Sequence, residues 1–331
     1  MVDNNIPPNM GNTGMQMGMP QQPSADNPAQ PPMPPTQAQP MPIQQPAGNP
    51  LAKHLRQPKI YIKLPSEGTY WPVNSLTKTA NGEYPVFAMT AKDEITFKTP
   101  DALLNGQATV EVIQSCMPNI RDAWQCPSID LDAILVAIRM ASFGETIELN
   151  AQVPGTDITK DFQLNLQTVF DNLISTEYVD TFQIDGFRIQ IKPATYQLQT
   201  QQAIKAFEEQ RIFSTVNDDS LDDSVKLERF QKSFANLTDI NINAVVTNVV
   251  AIQPDGDDEA VTNPKYLREF LEGAEAKTYN QIADYIKEQK DRFSQKPLQV
   301  TATPEEIEAG ASSIYEIPIV FDQSNFFGSG S

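Results

Sequence analysis

The chain has 331 residues, 40% hydrophobic and 20% charged, with 42 acids against 24 bases for a formal net charge of −18. That length suggests two folded parts, and so negative a field disfavours non-specific attachment to nucleic acid or to an anionic membrane surface. One histidine, His54, and two cysteines, Cys116 and Cys126, are too few for a disulfide framework or a four-cysteine zinc ribbon.

Residues 1–57 are dominated by Pro, Gln, Met, Asn and Gly, and such a segment cannot bury enough apolar surface to offset its chain entropy. A disordered tail of polyproline character is predicted there. Within it, "PPMPPTQAQP" reads either as a ligand for an aromatic groove or as a plain spacer. No basic n-region and apolar h-region open the sequence, and no apolar run reaches membrane-spanning length. A soluble, cytoplasmically made protein with reduced thiols is expected.

Residues 58–196 read as an α+β module. "KIYIKL" alternates with Ile60, Ile62 and Leu64 on one face, a strand pattern. A turn carrying Tyr70 and Trp71 follows, and Asn81–Gly82 predicts a two-residue hairpin. "TAKDEITF" has a capping-box pattern, Thr90 at the cap and Asp93 reaching back, with Ile95 and Phe97 as its apolar residues. "TPDALLNG" predicts a second short helix bearing Leu103 and Leu104, started by Thr99 and Pro100 and closed by Gly106 in the left-handed conformation. Val110, Ile113 and Met117 mark a third helix ended by Pro118. Ile134, Ala137, Ile138 and Ala141 mark the strongest one, stopped by Gly144. The period then changes to two: strands flank Pro154–Gly155, a helical turn is expected at "TVFDNLI", and a hairpin turns at Asp185–Gly186. On that hairpin Phe187, Ile189 and Ile191 share the apolar face. A hairpin with one wet face needs a covering surface, and the helices of 90–143 are the expected cover.

Residues 197–321 read as a mainly helical region. Two long polar-faced helices are expected up to about Ile252, then an acidic turn, two amphipathic helices with Tyr266, Phe270 and Leu271 on one and Ile282, Tyr285, Ile286 and Phe293 on the other, a polar stretch, and a short strand at "IYEIPIVF". Residues 322–331 read as a flexible end. The expected fold class is thus α+β: a small helical cluster packed with β-hairpins, then a mainly helical C-terminal region, with a disordered N-terminal tail.

Little in this inventory supports catalysis. His54 lies in or beside the tail, so a Ser–His–Asp or Cys–His pair lacks a histidine in the folded part. Cys116 falls in an apolar helix with no cation beside it in sequence and reads as a structural thiol. The acidic turn Asp255–Glu259 resembles a fragment of a calcium loop without the regular ligand spacing or the distal glutamate. No glycine loop precedes a Lys-Ser or Lys-Thr pair. No catalytic residue, cofactor or metal is expected, and the chain is not expected to be an enzyme; a metal-dependent nucleic-acid factor is the alternative of a different class. Candidate partner-binding residues are the aromatics Tyr70, Trp71, Phe326 and Phe327, which either anchor an interface or staple loops onto their own core. Lys92, Asp93 and Glu94, on the outer side of the capped helix, join them.

The ordered motifs "LPSEGTYWP", "MTAKDEITFKTPDALLNG", "VIQSCMPNIRDAW" and "DLDAILVAIRMASFGETIEL", over residues 64–149, carry a resemblance. They are similar to the T4-type bacteriophage baseplate hub subunit family, the gene 26 product type. The resemblance continues more weakly through the hairpin of 178–196. It implies a non-enzymatic phage protein made in the cytoplasm of the infected cell. Such a protein recognises other baseplate hub and tail proteins, as a hub subunit of the virion or as an assembly factor, including a transient chaperone absent from the mature particle. Relatives of this type can carry a Cys-Pro-x-Cys knuckle in the hairpin after the long helix, consistent with zinc; here the tip reads Val153-Pro154-Gly155, with no cysteine.

Overall fold

Residues 55–99, 106–215 and 222–319 are described by a computed structural model of the chain. The expectations for residues 1–54, including His54, for the short helix of 100–105 with Leu103 and Leu104, and for 320–331 with Phe326 and Phe327 lie outside them. Strands β1 (Pro58–Ile62) and β2 (Tyr84–Phe87) pair antiparallel, with Ile62 opposite Tyr84. Helices α1 (Ala91–Phe97), α2 (Gln107–Cys116) and α3 (Ser128–Phe143) follow, with a 3-10 turn at Ala123–Gln125. Every residue of α3 from Ala133 to Met140 is buried, Arg139 included, as in a helix enclosed by neighbours on all sides. Its walls are β1, β2, α2 and the next helix along the chain. Gly144 ends α3 at φ 93, in the region that favours glycine.

The hairpin expected at Asn81–Gly82 does not form. The turn exists, with Gly82 at φ 71, but β2 pairs back to β1 across residues 63–83. The segment before the turn is already engaged elsewhere: Thr77 N–H donates to Asn119 O (2.8 Å), and Leu76 bridges to Ile120. Tertiary partners thus take the strand that the local turn chemistry would otherwise have paired.

Strands β3 (Thr146–Gln152) and β4 (Thr159–Asn165) form the hairpin expected around Pro154–Gly155. Asn165 then caps α4 (Leu166–Ser175), its side chain accepting from Thr168 N–H at 3.2 Å. This helix is longer than the expected turn and buries Leu166, Val169, Phe170 and Leu173 against α3. Strands β5 (Thr181–Ile184) and β6 (Phe187–Ile191) turn at Asp185 (φ 41) and Gly186 (φ 83), a two-residue turn with positive φ at both central positions.

That second hairpin is not covered by the helices of 90–143. After α5 (Tyr196–Thr215) and α6 (Asp223–Val246), the chain returns as β7 (Val249–Pro254), which pairs with β6 to make a three-stranded sheet. Ile189 and Ile191 pack with Val245, Val249, Leu267, Leu271 and Ile282, the last three from α7 (Pro264–Gly273) and α8 (Ala276–Asp291). Alternation fixes which face of a hairpin is apolar and leaves its cover open. The boundary at 196/197 therefore falls between strands of one sheet. Residues 249–252, expected as the end of a helix, are strand because they complete that sheet.

A third cluster closes the fold. Strands β8 (Leu298–Thr301) and β9 (Ile314–Ile317) pair across α9 (Pro304–Glu308), and Ala302, Tyr315 and Ile317 pack on Val153 and Phe162. Gly155, at φ 82, comes so near this lobe that a Cβ there would lie 3.0 Å from Gly310 O. Lys160 forms an ion pair with Glu306, and Glu306 closes a capping box with Thr303. The sequence pattern marks the segment around α9 only as polar, while the strand at β9 forms as expected. Among the described residues no helix is long and apolar enough to cross a membrane.

Candidate functional site

Two buried carboxylates fix the surface that the sequence singled out. Asp130, in the first turn of α3, is fully enclosed. It accepts from Ser66 N–H at 2.8 Å, from the Ser66 hydroxyl, and from Trp71 Nε1–H at 2.7 Å. These three donors tie the 64–72 turn to the end of the central helix. Burial pushes the Asp130 carboxyl up to about 6, against the pull of the donors. Trp71 is only 8% exposed, so it staples its loop to the core and offers little area to a partner. Tyr70 is half-buried: its ring meets Tyr178 edge-on, centroids 5.4 Å apart, and its hydroxyl lies 3.3 Å from Asp180 Oδ2. Desolvation and the Asp180 charge raise its phenol to about 12. Tyr70 thus bridges the 64–72 turn and the entry to the β5–β6 hairpin.

The second carboxylate is Asp93. The capping box forms as its sequence pattern predicts, with Thr90 Oγ1 accepting from Asp93 N–H (3.2 Å) and Asp93 Oδ2 accepting from Thr90 N–H (2.7 Å). The same oxygen accepts from Ser115 Oγ (3.0 Å) on α2 and lies 3.5 Å from Arg56 Nη1. Arg56 also donates to Ala88 O (2.6 Å) and Ser115 Oγ (2.8 Å), and sits over the Phe87 ring. Asp93 is therefore buried and serves to lock α1 onto α2, instead of standing on the outer side with Lys92 and Glu94. Lys92 is exposed and Glu94 half-buried. Of the two apolar residues of α1, Ile95 is 67% exposed and Phe97 2% exposed. The outer face of α1 thus presents Lys92 and Ile95.

Other candidates have plain roles. Cys116 and Cys126 are free, buried thiols. Burial, then the Asp93 charge, pushes Cys116 up to about 12, and burial raises Cys126 well above the ordinary thiol value, so little thiolate forms at neutral pH. In the acidic turn, Asp255 N–H donates to Gly186 O (2.7 Å), which ties it to the tip of the β5–β6 hairpin. Among the described residues no group of three or more His, Cys, Asp or Glu converges as a metal site. A groove of about 470 Å³ lies between the start of α3 and helices α5, α6 and α8 and includes Ile129, Gln202, Tyr279, Lys287 and Lys290. Sequence reasoning missed Ser66, Asp130, Arg56 and Ser115. The one local signal was an acid in the first turn of an otherwise apolar helix, and that has an ordinary explanation in the helix dipole.

The geometry is one of short capped elements locked by buried carboxylates, with Lys92 and Ile95 exposed beside them. The chain belongs to the T4 bacteriophage base plate protein family, whose family model matches residues 57–303. No curated protein and no solved structure matches it. The match runs from β1 through β8, well beyond the motifs of 64–149, and ends before α9 and β9.

Proposed function

We propose that the chain is a subunit of the base plate hub, of the gene 26 product type, and that it acts without catalysis by recognising other hub and tail proteins. The observation that carries this reading is the base plate family match over 57–303, which contains the whole α1 and 64–72 region locked by Asp93 and Asp130. The buried thiols and the fully bonded Asp130 carboxylate support a structural use of the groups that a catalytic site would draw on. In this reading the protein is made in the cytoplasm of the infected cell and enters the tail. The contact surface is the outer side of α1, Lys92, Glu94 and Ile95, with Tyr70 as an aromatic edge.

Copy number in purified particles tests the hub assignment. Integer stoichiometry with the other hub proteins is expected; absence from mature particles would mean an assembly factor that leaves. Co-expression with hub proteins tests the surface. Ile95→Asp should abolish co-purification while leaving the far-ultraviolet spectrum and melting temperature unchanged; a complex that survives this change removes the α1 face from the interface.

A further inference from the structure

The groove of about 470 Å³ beside the start of α3 is separate from the α1 surface. It includes Ser128 and Ile129 at the N-terminal end of α3, whereas α1 lies near the other end, where Met89 N–H donates to Ser142 Oγ at 2.9 Å. One wall is a single face of α8: Tyr279, Ala283, Ile286, Lys287 and Lys290 recur at helical spacing. From Tyr279 to Lys290 that face runs about 16 Å. Ile129 of α3 and Val245 of α6 add to its apolar lining, and Gln202 of α5 reaches it as well. The volume is in the range of sites that hold a ligand.

Charge and hydrogen bonding define the ligand. The chain has 42 acids against 24 bases, yet no aspartate or glutamate lines this groove and two lysines do. Both lysines are exposed, and neither forms an ion pair among the described residues. Asp132 feels the charge of Lys290 without coming within ion-pair distance of it. Gln202 Nε2 is enclosed and donates to nothing among the described residues. An enclosed amide without an acceptor carries a free-energy cost that a bound acceptor would remove. Two ammonium groups and an orphan donor beside apolar walls suit a ligand with both anionic acceptors and an apolar body. The length of about 16 Å matches about five residues of extended chain, more than a single small carboxylate would occupy. A nucleic acid would bring a phosphate with every nucleotide onto a chain that carries −18. Lys287 and Lys290 stand towards one end of the α8 face, Tyr279 and Ala283 towards the other. An acidic residue and an apolar one about three positions apart in an extended peptide would meet both ends.

We propose that this groove binds an acidic peptide segment of a partner protein, with its carboxylates on Lys287 and Lys290, a carbonyl on Gln202 Nε2 and an apolar side chain against Val245, Ala283 and Tyr279. This adds a recognition site to the α1 face and does not depend on that face being used. Selection from a library of random heptapeptides displayed on a carrier domain, with the full chain as bait, tests it. The parent should enrich sequences with Asp or Glu about three positions from Leu, Ile or Phe. A chain carrying Lys287→Glu and Lys290→Glu, with an unchanged circular dichroism spectrum, should enrich basic sequences instead. By fluorescence anisotropy, the best parent peptide should bind about tenfold more weakly to Lys287→Gln/Lys290→Gln. Ala283→Trp, which fills the groove, should abolish binding, and Ile95→Asp on α1 should leave it unchanged. Failure of the parent to enrich any peptide above the bare carrier overturns the proposal. So do enriched peptides without acids, or acidic peptides indifferent to both the lysine changes and Ala283→Trp. Self-association that the lysine changes remove, with no peptide enriched, would assign the groove to a second copy and overturn the peptide site.

Discussion

In α3 the eight residues from Ala133 to Met140 are all buried, whereas the twelve positions of α6 from Ser224 to Ala235 include a single buried residue. The first helix owes its order to its walls, since Val and Ile are indifferent helix formers and tertiary packing decides. The second has no such walls over its outer half. It begins with an Asp222 cap, whose carboxylate accepts from Ser224 N–H at 3.4 Å, and with α5 it forms an arm that meets α7 and α8 nearer its C-terminal end, at Asp239, Asn243 and Val245. Stability is therefore concentrated around α3 and thin along the arm, the distribution expected when one part of a fold holds shape and another is available to partners.

The comparison breaks most directly in α3. Ile138→Ala, at a fully buried position, should cost about 2–5 kcal/mol of unfolding free energy in urea titration, because the enclosing helices and strands cannot collapse into the space. A loss below about 1 kcal/mol would mean that α3 is not the centre of the fold. Trp71→Phe comes next. It keeps most of the ring but leaves Asp130 short of one donor, so about 1–3 kcal/mol is expected, along with loosening of the 64–72 turn seen as faster amide exchange at Gly68 and Thr69.

Asp130 also makes stability depend on pH. Its folded carboxyl titrates near 6 and its unfolded one near the ordinary 3.8. Between those values the folded state holds more protons, so the Asp130 contribution to stability is full below about 4, falls as pH rises towards 6, and is flat beyond; the fall is of the order of 1–3 kcal/mol. Asp132, raised to about 6 by burial, acts in the same direction. Glu306, lowered mainly by Lys160, acts in the opposite one. Urea titrations across this range of pH should give a shallower slope for Asp130→Asn than for the parent. Parallel slopes would show that Asp130 does not carry the dependence.

The parts of this architecture that could be read in sequence are those with local causes. The Thr90–Asp93 box, the Pro154–Gly155 and Asp185–Gly186 turns and the Gly144 stop each depend on residues within a few positions of one another. The apolar run of α3 announced a buried helix for the same reason. What escaped depends on distance. The strand Val249–Pro254 follows a helix without a break in its apolar pattern and is strand only because β6 needs an edge partner. Asn81–Gly82 carries the right turn chemistry beside a segment already committed to Ile120. Of the candidate surface residues, Lys92 stands outside, while Asp93 and Trp71 are drawn inside by Ser115 and Asp130, partners 22 and 59 positions away.

A smaller effect tests the lock on α1. Thr90→Ala removes the side-chain acceptor for Asp93 N–H and leaves Asp93 with its remaining donors, so about 1 kcal/mol is expected from thermal or urea unfolding. Ala at a cap whose loss goes unnoticed would mean that Arg56 and Ser115 hold the helix without the box.

The smallest effect is expected on the arm. Phe207→Ser replaces a side chain that is 62% exposed in the fold, so little apolar area is lost from the folded monomer, and Phe and Ser differ little in helix propensity. In dilute solution the change should fall within about 0.5 kcal/mol. A change in α3 should cost nearly the same at every concentration, because its partners are all within the chain. A loss above about 1 kcal/mol for Phe207→Ser in dilute solution would place the ring in an intramolecular contact and erase the contrast between the walled helix and the open one.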